Sequence, residues 1–558
     1  MDYNLKDKCA NYLKQPLICS FVLNLGIILL LFLLYDFHWE TNDDVYMSSI
    51  VYGTYGQYDE HLVFINILIG RLIKQLLIIC SVIPWYGVLQ TVIVFVSFVI
   101  IVYRIFDIRL DFEMLAICTI IVYVMGLQFY VQMQFTKTAG IASIAGILLV
   151  FRFCAQRKGK NWLSFIIGLA MCAVGVMYRG SSFYLALGML FVLGGYELIY
   201  YWKYSWVKTF FRYGLCALLL LILMKGLVAY NSYECNKEDG YTEYIQFSRE
   251  RGQLTDYYWP DYYDNKSGYD KLGISAEDIE FYNTWNFADK DIVNIDNLKV
   301  VNGFKQNEDF KEYKSINDFM IKFFSVYMGY SFIVVPILIL LIGIRKKRYR
   351  IFSLLSIVTF IILQVYLYYK GRVFIQRVDA VFVMALIATL SVALAYEEEN
   401  SEVKVFGIGI ILLPVFLILP HIQYNTDNVN KISEEDQQQW IEYLQDNKQT
   451  LFVMENWTNV MLWNSIYSIW SVPPKGLAQN VYILGGWQYQ SPNTNDILAN
   501  YKVKNPFIDM VDNKSIKFVQ AGDTDEFKKY IERHYYTNVE FSVVNKIGNC
   551  LIYECNGN

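Results

Sequence analysis

Read from its amino end, the chain alternates long apolar runs with shorter polar ones. Runs of about 17 to 25 residues almost free of charge fall at 17–34, 86–103, 112–131, 139–155, 162–178, 182–202, 210–229, 322–344, 351–369, 378–396 and 405–421. Each is long enough to cross a bilayer as a helix, which takes about 20 residues. The pattern therefore predicts a polytopic α-helical membrane protein of about 11 spans. The first run follows Lys6, Lys8 and Lys14 and is followed by acids with no small-residue cleavage site, so it is expected to stay as the first helix. One apolar stretch does not fit as a span. Between His61 and Ile79, Asn66, Gly70 and Lys74 recur every fourth position beside Arg71 and Gln75. This is expected to be an interfacial helix (61–79) with Arg71 and Lys74 toward water.

Two long polar stretches remain. Residues 230–321 are rich in Tyr, Asp and Asn and contain "GISAEDIEFYNTW", where Ser275 caps a predicted helix and Asp278 sits at the box position. Residues 422–558 alternate helical patterns ("EEDQQQWIEYLQ", "DTDEFKKYIERHY") with strand patterns ("TLFVME", "SIKFVQ", "VEFSVV", "CLIYEC") and predict a small α/β domain. The expected organisation is an N-terminal transmembrane module (1–229) with an acidic first outside loop (36–60), a loop segment (230–321), C-terminal transmembrane helices (322–421) and the α/β domain (422–558).

Charge orients this arrangement. With the N-terminus in the cytoplasm, the inside connections hold Arg104 and Arg109; Arg152, Arg157, Lys158 and Lys160; Lys203, Lys208 and Arg212; and the block from Arg345 to Arg350. The outside ones hold chiefly Lys137, Arg179, Lys370, Arg372 and Arg377. That asymmetry is the positive-inside pattern and puts the C-terminus outside the cytoplasm. Composition agrees: 55% of residues are apolar and 18% charged, whereas soluble domains run near 25% charged. A net charge of −4 without a basic tract argues against nucleic acid as partner. Cys19, Cys118, Cys154, Cys172 and Cys216 lie in apolar runs, and Cys550 and Cys555 flank a run too stiff for them to pair easily. No Cys or His spacing suggests a structural metal.

The candidate chemistry lies in the first outside loop, "DFHWETNDDVYMSSIVYGTYGQYDE", which has six carboxylates (Asp36, Glu40, Asp43, Asp44, Asp59, Glu60) and no Lys or Arg. Such a cluster either binds a cation, holds a raised pKa, or is a solvated loop in which Asn42 or Asp43 caps a short helix. Lys137, Arg179, Arg372 and Arg377 sit at outside ends of three spans, the same face as the acids. Attack by a hydroxyl that displaces an anionic group needs a base for the hydroxyl and positive charge for the departing anion. Asp43 or Asp44 suits the first role and the cations the second, with Glu60 and His61 completing the candidate substrate-binding set. The plainer readings are headgroup anchoring of the arginines, or pairing of an arginine with Asp379. His38, His61 and His421 lie near the outer boundary as well. Tyr and Trp in "TDYYWPDYYDNKSGY" suit stacking on sugars, with Asp256, Asp261 and Asp264 taking hydroxyls, or equally an aromatic belt. Trp487 in "LGGWQYQSPN" is either an exposed aromatic or part of a docking loop.

An acidic pair after the first span, an interfacial helix, then alternating spans with large outside segments resembles the glycosyltransferase C superfamily of membrane enzymes. More narrowly, "TNDDVYM", "HLVFINILIG", "WYG", "QFTKTAG", "YRGSSF", "GISAEDIEFYNTWNFAD", "GRVFIQRVD" and "LGGWQYQSP" resemble a largely uncharacterised family of multi-pass proteins from low-GC Gram-positive bacteria; the strings run from residue 41 to 492. The resemblance implies transfer of a sugar from a polyprenyl-phosphate-linked donor to a cell-surface glycan or glycopolymer, with an Asp of the first outside loop as base. Many superfamily members carry a second acidic motif in the next outside loop. Here "VQMQFTKTAG" offers Lys137 and no acid, so a divalent cation (Mg or Mn) would need Asp43 and Asp44 with Asp59 or Glu60. Three other readings stand beside this one: a lipid-linked glycan polymerase or ligase, a non-enzymatic transporter or flippase, and a scaffold whose tail binds wall polymers. The scarcity of mid-span charges weighs against transport.

Overall fold

The computed structural model describes residues 15–155, 162–200, 202–305, 315–344, 346–372, 374–397 and 432–557. The expected span at 405–421, His421, Lys6, Lys8, Lys14, Arg157, Lys158, Lys160 and Arg345 lie outside these residues. The chain is mostly helical. Its first part runs α1 (Pro16–Leu34), β1 (His38–Trp39), α2 (Asn42–Val51), α3 (Ile67–Ile79), α4 (Trp85–Phe106), α5 (Phe112–Gly126) with a π-helical end (Leu127–Val131), β2 (Gln132–Met133), α6 (Phe135–Ala155), α7 (Trp162–Tyr200) and α8 (Trp202–Cys235). Then come α9 (Tyr241–Thr255), α10 (Lys266–Leu272), α11 (Ala276–Asn283), α12 (Ile295–Phe304), α13 (Ile316–Gly329), α14 (Val334–Gly343), α15 (Lys347–Tyr369) and α16 (Gln376–Ala395). The tail holds α17 (Glu434–Asp446), β3 (Leu451–Met454), α18 (Asn456–Ile466), β4 (Val481–Ile483), α19 (Pro492–Asn500), α20 (Pro506–Asp512), β5 (Ile516–Gln520), α21 (Asp525–His534), β6 (Val539–Ile547) and β7 (Cys550–Gly557).

Eight helices among the described residues are long and apolar enough to cross a membrane: α1, α4, α5 with its π-helical end, α6, α7, α8, α15 and α16. Two expected spans meet where the prediction placed their connection. The runs at 162–178 and 182–202 form one 39-residue helical stretch broken at Arg179, whose backbone is extended (φ −164°, ψ 106°), and each arm is about as long as a bilayer is thick. The run at 322–344 is not one straight helix, because α13 and α14 meet at 92°. Tyr330 is extended there, and Pro336 has no N–H to extend the helical bonding backward.

The centre of the bundle is α6, buried along its whole length. Glycines let α7 approach it closely. A Cβ on Gly146 would stand 2.6 Å from the Cys172 amide, and one on Gly175 2.1 Å from Ser143 Oγ. At one end of the bundle, buried Arg104 pairs with Glu197 at 2.5 Å and donates to Tyr396, while Arg152 pairs with Asp107 at 2.7 Å. These bonds join α4, α6, α7 and the end of α16. The other end of α4 meets the tail, where Gly87 packs against the Ile469 carbonyl.

The tail is built on a five-stranded sheet in the order β4-β3-β5-β7-β6. β3 pairs in parallel with β4 and β5, and β7 pairs antiparallel with β5 and β6. All four expected strand patterns and both expected helices are present; β4, α18, α19 and α20 went unread. Cys550 and Cys555 are buried free thiols. The polar stretch after α8 is no separate unit: Phe247, Tyr282 and Phe287 share an apolar core with Phe518, Tyr530 and Tyr553 of the sheet region. The expected capping box at Ser275 and Asp278 opens α11.

Candidate active site

The first loop after α1 is pinned at both ends. β1 pairs with β2, matching His38 to Gln132 and Trp39 to Met133. Helix α2 then carries the two adjacent acids into its first turn, where the helix N-terminus favours negative charge. Its cap is Thr41, without a side-chain bond, and not Asn42 or Asp43. Successive residues on a helix point about 100° apart, so Asp43 and Asp44 meet different surroundings.

Asp44 is fully buried, and donors surround it. Tyr86 donates its hydroxyl at 2.9 Å, Gln90 its amide at 3.1 Å, and the Phe135 backbone N–H reaches both carboxylate oxygens at 3.2 and 3.3 Å. Burial pushes its pKa up to about 7, against the pull of Gln90 and Tyr86 and with a smaller push from Asp43. This acid ties α2 to α4 and to the start of α6. Asp43 is half-buried and makes no ion pair among the described residues. Burial raises its pKa, while the charges of Arg377 and Arg179 lower it and Asp256 raises it. The indole N–H of Trp487 also favours the charged form, although no acceptor lies at hydrogen-bonding geometry to it among the described residues.

Three of the expected cations come together. Arg179, Arg372 and Arg377 line one cavity of about 530 Å³, with Thr136, Ser181 and Ser182 as polar neighbours. Its remaining wall is apolar, including Leu185, Leu363, Leu367 and Phe382 from α7, α15 and α16. Arg179 reaches the cavity because the break in α7 lies at that residue. Its guanidinium stands over the Phe135 ring at 5.1 Å and donates to Thr136 at 3.2 Å. Neither Arg179 nor Arg377 has an ion-pair partner among the described residues. Asp379, the alternative partner for an arginine, instead accepts from Tyr327, Tyr330 and Gln364. Arg372 is held by Asp256 at 3.0 Å and lies over the Tyr257 ring at 4.5 Å.

Four expected site residues are placed elsewhere. Lys137 is fully buried and pairs with Glu40 at 2.5 Å while donating to the Gln128 and Gln132 carbonyls. It braces β2 against the first loop and offers no charge to a phosphate. Glu60 pairs with Arg71 at 2.8 Å and Lys74 at 3.1 Å, and Arg71 also pairs with Glu234 at 2.6 Å. Helix α3 has only 13 residues, too short for a span, and its basic stripe pairs with these acids while staying about one-third exposed. Asn66 caps it, and Gly70 packs on the Glu60 carbonyl. His61 pairs with Asp59 at 2.7 Å, and Asn493 of α19 donates to the same carboxylate. The four carboxylates considered for a cation thus do not form one ligand set, and among the described residues no three His, Cys, Asp or Glu side chains gather as one.

One neighbour of Asp43, Arg251, carried no sequence signal. Buried Arg251 of α9 stands over Trp285 at 5.2 Å, lies 3.9 Å from Asp256, and feels the charge of Asp43. Its segment, "SRERGQLT", looks like any solvated helix. Trp487 is buried, packed on Tyr46 at 5.7 Å and Phe64 at 4.9 Å, so its loop docks the tail on the first part of the chain. Asp256 was read as a hydroxyl ligand and serves as the partner of Arg372. Asp261 bonds its own loop at Tyr263 and Asp264, and Trp259 is buried. Comparison with protein-family models gave no match, and neither did comparison with curated protein sequences or solved structures.

Proposed function

We propose that this chain is an integral-membrane glycosyltransferase that passes a sugar from a polyprenyl-phosphate-linked donor to a cell-surface glycan or glycopolymer on the outer face of the membrane. The observation that carries the reading is the cavity lined by Arg179, Arg372, Arg377 and an apolar wall, two of whose arginines, Arg377 and Arg179, act electrostatically on the carboxylate of Asp43 outside its lining. A phosphate matches the guanidinium fork, and a lipid chain matches Leu363, Leu367 and Phe382. In this scheme Asp43 takes the proton from an acceptor hydroxyl as its oxygen attacks the anomeric carbon. The bond from that carbon to the phosphate oxygen breaks, and the phosphate leaves with the electron pair, held by Arg179 and Arg377. Asp44 takes no part in the proton transfer; it holds α2 so that Asp43 faces the arginines. No step is routed through a metal. The N-terminus lies in the cytoplasm and the sheet region outside, in keeping with the basic cluster of Arg104, Arg109 and Arg152 at the end of the bundle remote from Asp43.

The test is the surface glycan of cells in which Asp43→Asn or Arg377→Gln replaces the wild-type chain. Loss of one sugar from the glycan, with normal amounts of protein in the membrane, supports the transferase. An unchanged glycan refutes it.

A further inference from the structure

The sheet has two ends, and only one faces the candidate active site. At the carboxyl ends of the parallel strands, Glu455, Gly485 and Trp487 meet Asn286, Trp285 and Tyr46 of α2, the helix of Asp43. At the amino ends of β3, β4 and β5 lies a second, open groove of about 580 Å³. Its side chains come from Lys448 and Gln449 before β3, Gln479 before β4, Asn500 at the end of α19 with Tyr501 and Lys502 after it, and Asn513, Ser515 and Ile516 at the start of β5. Two are cations, six carry amides or hydroxyls, one is apolar, and no carboxylate lines it, in a chain whose net charge is −4.

The backbone at Lys502 gives a second, independent observation. Helix α19 ends in a Schellman turn: the Lys502 amide bonds to the Ala499 carbonyl and the Val503 amide to the Leu498 carbonyl. That turn puts Lys502 at φ +59°, a left-handed conformation that glycine adopts freely and a side chain rarely does. A lysine there is disfavoured locally, and it stands at the rim of the groove. Across from it Lys448 is positioned by its own carbonyl, which accepts the Tyr501 hydroxyl. Amides and hydroxyls suit sugar hydroxyls, and two cations without an acid suit carboxylate or phosphate substituents.

We infer that this groove binds a segment of an anionic glycan. The groove lies at the opposite end of the strands from the face that meets α2; the strands are three to five residues long, roughly 10–17 Å, so an acceptor reaching from the groove to Asp43 has to span more than that, several sugar units. The inference rests on the transferase reading only in calling this segment the acceptor. Binding is measured on the full chain in detergent, with hyaluronan oligosaccharides as the anionic probe and maltohexaose as the neutral one. The anionic probe is expected to bind at least tenfold more tightly, and Lys448→Gln with Lys502→Gln to remove that preference. Lys502→Gly relieves the backbone, so it is expected to keep or raise the melting temperature while weakening the anionic probe three- to tenfold. Equal binding of the two probes, or undiminished binding by Lys502→Gly, overturns the inference. Asp43→Asn and Arg377→Gln are expected to bind the probe as the wild type does. Failure of the transferase reading therefore shows separately, as an intact glycan in cells carrying those variants.

Discussion

Two neighbouring acids of one type ask to be separated by mutation, and their surroundings say how. Asp44→Asn keeps an oxygen where Tyr86 and Gln90 donate, and the Asn amide takes the place of the oxygen 3.3 Å from the Phe135 N–H. The substitution is expected to fold and to retain transfer within a few-fold. Asp44→Ala leaves three buried donors unpaired, at about 1–3 kcal/mol each, which approaches the whole stability of an ordinary domain. It is expected to be nearly absent from membranes. Asp43→Asn touches no ion pair, so its melting temperature stays near wild type, while removal of a general base lowers transfer by about 10²–10⁴-fold. The assay is the sugar composition of the surface glycan, normalised to membrane protein level, with the melting temperature of each purified variant alongside.

The pH dependence gives a second handle on the same pair. The Asp44 carboxyl has 3.8 as its ordinary value and about 7 in the fold, so the unfolded chain ionises first. Stability contributed by the protonated form is greatest near pH 4 and falls as pH rises toward 7, by about 4 kcal/mol at about 1.4 kcal/mol per pH unit. Asp44→Asn carries no such titration, so its melting temperature is expected to gain on that of the wild type between pH 5 and 7. Asp43 must be ionised to act, and its pKa is raised, so transfer is expected to rise with pH above the ordinary carboxylate range. Loss of transfer in Asp44→Asn with full activity in Asp43→Asn would refute this division of roles.

Arg179→Gln and Arg377→Gln each remove a charge-assisted bond to phosphate, about 1.5–3 kcal/mol, and are expected to weaken donor use by roughly 10–100-fold in a titration with polyprenyl-phosphate sugar. Lys137→Ala leaves Glu40 buried without its partner, at about 3–5 kcal/mol, so thermal unfolding of the purified protein should show lost stability with no selective effect on donor concentration dependence. His61 has its pKa raised: burial lowers it, but Asp59 and then Glu238 and Glu60 outweigh that. The stability it adds is full below pH 6.5 and lost as pH rises through the folded value, so the melting-temperature gap between wild type and His61→Gln is expected to shrink above neutral pH. Gly485→Ala puts a Cβ 1.5 Å from the Trp285 carbonyl oxygen and is expected to lower both melting temperature and transfer, since Trp487 lies two residues on.

Much of the helical bundle could be read from hydropathy, because long apolar runs mark its helices without reference to any partner. Helices α1, α4, α15 and α16 fall within a few residues of their expected runs. What the pattern missed depends on partners distant in sequence. The bend at Tyr330 goes with Pro336 nearby, and both Tyr327 and Tyr330 donate to Asp379. Lys137 looked like a free cation because Glu40, almost a hundred positions earlier, cannot be paired with it by inspection. The arginines were legible as a set, since spans fix which face each loop end shares. Arg251 was not, because burial of a charged helix under the sheet region leaves no local trace.

The placement of the candidate site follows from the way the parallel strands are used. In open α/β sheets ligands gather outside the carboxyl ends of the strands, where loops diverge. Here those ends hold Glu455, Gly485 and Trp487, and instead of closing over a ligand alone they rest on α2 and on the segment around Trp285. The docking requires close backbone approach at Gly485, and it leaves Trp487 against Tyr46, three positions along α2 from the acid it favours. Asp43 therefore has its orientation set from the bundle side by Asp44, and its environment set from the sheet side by Trp487 and Arg251. A change in either half alters the same carboxylate. Variants of Tyr86 or Gln90 in the bundle and of Gly485 in the tail should accordingly shift the pH profile of transfer, although none of those residues lies at the arginine cavity.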